Sequence, residues 1–195
     1  MPSFSQIVFA ATAALAGFAV AAPVAAPKRD ITDALPAILT GLASQLTPVT
    51  SLLSSIQLEN ATAEVVTPIT NELQSILSGA VSEISALAGN PVGTVLATAD
   101  GVLSVTDAAQ LLATPMNLVS GALGDVLSVV ENSPAGAIVT PLLNDVSGVL
   151  GQVLTTASPL VDGLLAAVAP LTQNVFSILD NLGLGPVVGL LSDLL

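Results

Sequence analysis

Beyond residue 29 this chain has no positively charged side chain. Its two basic residues, Lys28 and Arg29, stand together near the N-terminus, and it has no histidine. Residues 30–195 carry all 14 acidic groups, lack Cys, Trp and Tyr, and hold one aromatic residue, Phe176. With no cysteine there is no disulfide framework to staple a fold. Acidic chains that stay disordered are poor in aliphatic residues. This one is rich in Leu, Val, Ile and Ala, so it is expected to collapse or assemble.

The first thirty residues read as export and processing signals. Ile7 to Val20 is an uncharged apolar run too short for a membrane span, and it ends in Ala19-Val20-Ala21, a small-x-small cleavage form. Residues 1–21 are therefore expected to be a signal peptide, cut after Ala21 or one residue away. Residues 22–29 then form a propeptide ending in Lys28-Arg29, a dibasic site for a kexin-type protease. The alternative for that pair is an ordinary surface position. With processing, the mature chain starts at Asp30, and about 166 residues suffice for one domain or two small ones.

Helical spacing dominates the remainder. Ile31, Leu35, Ile38, Leu39, Leu42 and Leu46 predict a helix over 33–46, with Asp33 as N-cap and Pro36 in the first turn. Val65, Ile69, Leu73, Ile76, Ala80, Ile84 and Leu87 predict an amphipathic helix over 61–87, with Glu64, Glu72 and Glu83 off the stripe. Thr47-Pro48, Thr67-Pro68, Thr114-Pro115, Thr140-Pro141 and Ser158-Pro159 share a form, with Asn90-Pro91 close to it. Each precedes an aliphatic run. A hydroxyl or amide N-cap followed by proline marks a helix start. The expected fold is all-α: six to eight short amphipathic or apolar helices in a loose bundle. Residues 30–89 form the amphipathic region and 90–195 an apolar region punctuated by Gly and Pro. For the latter, a molten or β-assembling state is the alternative. Acids, Pro or Gly interrupt every long apolar run, so no transmembrane span is expected.

The chemistry available is sparse. General acid–base and nucleophilic catalysis call on His, Lys, Tyr, Cys or paired carboxylates. Here only carboxylates remain, mostly single and among apolar neighbours, with no aromatic platform or Arg beside them. The sequence has no phosphate loop, nucleophile elbow or calcium loop. No catalytic residue, cofactor site or metal site is expected, and the isolated Asp residues read as solubilising groups. An acid-only surface repels nucleic acid. Asn60-Ala61-Thr62 is an N-glycosylation sequon in an expected turn. The many Ser and Thr residues either accept O-linked sugars or simply cap and solvate helices.

The export signal, Lys28-Arg29, Asp30 and the low-aromatic helices resemble small secreted fungal wall proteins. The segment 61–87, with its Val66-Thr67-Pro68-Ile69 start, is similar to the helical core of the hydrophobic-surface-binding and cell-wall galactomannoprotein group. The polar-first, apolar-second layout resembles a cysteine-free basidiomycete family linked to aerial hyphae and attachment. Both resemblances imply a protein that is extracellular or held in the cell wall, which the residue chemistry above reads as non-enzymatic and the Asn60 sequon as a glycoprotein. Such a protein adsorbs to hydrophobic surfaces, wall polymers or lipid, and self-association is a further expectation. A second reading, a helical bundle carrying a fatty acid or sterol, requires a preformed apolar cavity.

Overall fold

The computed structural model describes residues 34–131 and 134–172. Four long helices dominate these residues: α1 (Leu35–Ser54) and α2 (Ala63–Ser85), then, after a short α3 (Val92–Val95), α4 (Val105–Val130) and α5 (Gly136–Ala157). A one-turn α6 (Leu164–Val168) follows, between 3-10 turns at Ser158–Leu160 and Ala169–Leu171. Two antiparallel two-residue strands, β1 (Ala97–Thr98) and β2 (Gly101–Val102), close a tight turn between α3 and α4. The protein is thus all-α in its main architecture, and six α-helices are present among the described residues.

Each long helix lies against two others, in the order α1, α2, α5, α4, and α6 packs on α4. Residues on both sides of position 90 enter one aliphatic cluster. Leu39, Leu46, Leu77, Leu123, Leu143 and Leu150 are all within it and almost fully removed from water. Burial of a Leu or Val side chain stabilises by about 1.5–3 kcal/mol; with no aromatic residue among the described residues and no cysteine in the chain, this aliphatic burial holds the bundle together.

Most of the Thr-Pro pairs do not start helices. Pro48, Pro68, Pro115 and Pro141 lie inside α1, α2, α4 and α5. A proline inside a helix removes one backbone donor and leaves the carbonyl four residues earlier without its partner. Pro48, Pro68 and Pro141 are on the exposed side of their helices, where water reaches that carbonyl. In two of these four pairs the preceding threonine bonds backward rather than capping forward: Thr47 Oγ1 donates to the Ala43 carbonyl (2.8 Å) and Thr114 Oγ1 to that of Gln110 (3.0 Å). The buried stripe continues past each proline, so its burial outweighs the lost hydrogen bond; α1 runs to Ser54 rather than ending at 46, and α2 passes through Pro68 within its expected range. Ser158-Pro159 does open a 3-10 turn, and Pro91 is the N-cap of α3.

Two further expectations are corrected. The N-cap of α1 is Ala34, with no side-chain cap bond, and Asp33 lies outside the described residues. In α2 the buried stripe is Val66, Thr70, Leu73, Leu77, Ala80 and Ile84, about one position round from the expected one. Val65, Ile69 and Ile76 are only half-buried. Thr70 can enter the core because its hydroxyl is satisfied by the Val66 carbonyl at 3.1 Å.

Helix α5 restates α2. Val66-Thr67-Pro68-Ile69 and Asn71-Glu72-Leu73 correspond, at one constant spacing, to Val139-Thr140-Pro141-Leu142 and Asn144-Asp145-Val146. All six buried positions of α2 fall on buried positions of α5, from Val66 on Val139 to Ile84 on Ala157. These two similar helices pack on each other. Helix α5 also buries Ser147, Gly151 and Leu154, so its buried face is wider than that of α2. At its start, a Cβ on Gly136 would sit 2.6 Å from the Val130 carbonyl oxygen, so the close α4–α5 turn requires glycine.

Candidate interaction surface

The surface and the core divide by chemistry. Among the described residues every acidic side chain is exposed except Glu83, which is half-buried. Five polar side chains are buried: Thr50, Thr70, Ser120, Ser147 and Thr172. Each hydroxyl donates to the carbonyl four residues earlier in its own segment. The acceptors are Leu46 (2.9 Å), Val66 (3.1 Å), Met116 (2.7 Å), Leu143 (2.9 Å) and Val168 (3.1 Å), respectively. Buried polar groups must be hydrogen-bonded; for Thr50, Thr70, Ser120 and Ser147 the bond is made inside the helix, and Thr172, just past the last 3-10 turn, bonds back to the end of α6. None of these five bonds ties one helix to another.

Ion pairs between side chains are impossible among the described residues, because no Lys, Arg or His occurs there. A long-range side-chain bond joins Asn117 Nδ2 in α4, as donor, to the Leu171 carbonyl at 3.3 Å and holds the last 3-10 turn. The contacts between α1, α2, α4 and α5 are therefore mainly aliphatic. Such contacts are non-directional, and an apolar surface can replace them without breaking a matched polar pair.

The exposed large apolar side chains are Leu52, Leu58, Val92, Val102, Ile138 and Leu171. Four of these flank or occupy connections: Leu52 and Leu58 near the α1–α2 loop, and Val92 and Val102 between α2 and α4. They are dispersed in sequence, and among the described residues most large aliphatic side chains are enclosed between the helices. Val105–Val130 and Gly136–Leu160 are long and apolar enough to cross a membrane by length and composition, a property the interruptions by acid, Pro and Gly had argued against. In this fold 50% and 44% of their most apolar stretches are buried among the other helices.

Of the sequence-predicted sites, Ala21, Lys28 and Arg29 lie outside the described residues. Asn60 is exposed in the α1–α2 loop. No group of three or more His, Cys, Asp or Glu residues is placed to hold a metal ion among the described residues. The sequence reading missed Asn144, whose Oδ1 is buried without a hydrogen-bond partner. Its counterpart Asn71 in α2 is exposed, and only the repeat between the two helices signals the comparison. No family model matches the chain, and neither a curated protein nor a solved structure matches it.

Proposed function

We propose that this protein is a secreted, non-enzymatic coat protein that adsorbs to hydrophobic surfaces, including the cell wall, by turning the inner faces of its helices onto them. Its role is attachment or surface coating. The observation that carries this reading is that each buried hydroxyl bonds to a carbonyl of its own segment, four of the five within a single long helix, in a core that is mainly aliphatic. Separating the helices exposes apolar area but leaves those five hydroxyls bonded. A hydrophobic surface offers the same burial, worth about 25 cal/mol per Å² of apolar area. The acids on the outer faces then point to water and keep the coated surface wettable and negatively charged.

The test is adsorption to a hydrophobic sensor and to the air–water interface, with helix content followed on the bound material. A fall in surface tension with helices retained supports the proposal. Weak adsorption that a brief wash reverses, with the bundle intact, would sink it. The same preparation is melted with and without fatty acid or sterol. A ligand-dependent rise in Tm combined with no surface activity would favour the carrier reading instead.

A further inference from the structure

The loop between α1 and α2 places an acceptor site in the open. Asn60 and Thr62 are both exposed, while Ala61 between them is buried and anchors the loop to the bundle. The Gln57 N–H donates to Asn60 Oδ1 at 2.7 Å. That bond fixes the amide's orientation, because Nδ2 in the same place would set donor against donor. Nδ2, the atom to which an N-linked sugar attaches, makes no hydrogen bond to any described residue. Thr62 stands at the N-cap of α2 with no side-chain cap bond, so the sequon hydroxyl is not committed to the helix. The folded loop therefore obstructs neither part of the Asn-x-Thr signal.

We propose that Asn60 carries an N-linked oligosaccharide, and that this sugar keeps the α1–α2 loop end of the protein in water when the chain adsorbs. Attachment joins the sugar's anomeric carbon to Nδ2, with loss of one amide proton and of the lipid-diphosphate leaving group of the donor. The site sits beside Leu58, the most exposed large apolar side chain of this loop at 58%. A bulky hydrated sugar there covers a residue that would otherwise compete for the surface. The opposite end of α2 is 23 residues away, about 34 Å at the helical rise. Val92 and Val102 are exposed in the connection that follows it. The sugar thus adds a hydrated group at the loop end of α2, whereas the connection at its far end has no sequon. The inference rests on the reading of the chain as exported.

The test expresses the full chain in a eukaryotic secretory host twice, once with its own N-terminus and once behind a foreign export signal. An amidase that removes N-linked sugars is then applied, and the product is followed by gel mobility and peptide mass. The expected result is a mobility shift that disappears in Asn60→Gln and in Thr62→Ala but persists in Thr62→Ser. Chain exported without sugar at Asn60 behind the foreign signal overturns the site. Failure of the chain's own N-terminus to export it, with Asn60 still modified behind the foreign signal, overturns the export reading and leaves the site standing. On a hydrophobic sensor, adsorbed glycoprotein is expected to bind a mannose-specific lectin and to remain open to the amidase. Sugar that becomes inaccessible on adsorption would overturn the orientation.

Discussion

Shortening one fully buried side chain separates adsorption by an opened bundle from adsorption by a closed one. Leu77 on α2 has no exposed area and sits in the common cluster. Leu77→Ala removes buried methyl groups and leaves part of their volume empty, a change that destabilises by about 2–5 kcal/mol. Each 1.4 kcal/mol is about a factor of ten in an equilibrium, so the opened population rises by roughly 30-fold to several thousand-fold. The apolar area available for adhesion barely changes, because a single side chain is trimmed. If opening limits adsorption, Leu77→Ala coats a hydrophobic sensor faster than wild type while its thermal midpoint falls. Leu58→Ala in the exposed loop provides the control, with an expected change within about 0.5 kcal/mol. The assay is a thermal melt for stability and quartz-microbalance or interferometric uptake for rate. A Leu77→Ala protein that melts early yet adsorbs at the wild-type rate would refute the argument, since the closed surface would then be the adhesive one.

Three other outcomes follow from the same structure. Thr70→Val removes a hydroxyl bonded only within α2, so its stability should stay within about 1 kcal/mol of wild type or rise; a loss of several kcal/mol would reveal an interhelical role for the hydroxyl. Gly136→Ala forces a Cβ to 2.6 Å from the Val130 carbonyl and should cost about 1–3 kcal/mol, whereas Gly79→Ala, in mid-α2 with open space around it, should stabilise by about 0.4–1 kcal/mol. For the chain from Asp30 onward, solubility should fall as the pH is lowered toward the ordinary carboxyl range near 4, with no recovery at pH 2–3. No basic side chain is left there to recharge it. Turbidity and light scattering read this directly, and a clear monomeric solution at pH 3 would contradict it.

Helix, as a class, was legible from spacing alone, and so was most of the inner face of α1. Leu35, Ile38, Leu39, Leu42 and Leu46 are all buried as the pattern predicts. Helix ends were less legible, because the start signal in Thr47-Pro48 is local while the burial of Val49 and Leu53 beyond it is tertiary. Proline reads as a stop or a start only when little is gained by continuing. In α2 the stripe moved by about one position because a threonine that bonds backward is nearly as acceptable inside as a valine, which hydropathy does not register. The requirement for Gly136 depends on how closely Val130 approaches, and sequence carries no sign of that distance. The candidate surface was half legible. The acid-only outside and aliphatic inside follow from composition, whereas the closure of each buried hydroxyl within its own segment needed coordinates.

The thickness of the adsorbed layer tests the central claim most directly. Neutron reflectometry on a hydrophobic monolayer, with infrared dichroism for helix content and tilt, measures it. An opened chain lies as a single layer of helices, about 10–12 Å thick, with the helix axes in the plane and helix content retained. A closed bundle two helices deep measures about 20 Å, adding an interaxial distance of about 8–10 Å to one helix diameter. The account predicts the thin layer; a persistent layer near 20 Å of intact bundles, or no layer at all, would contradict it.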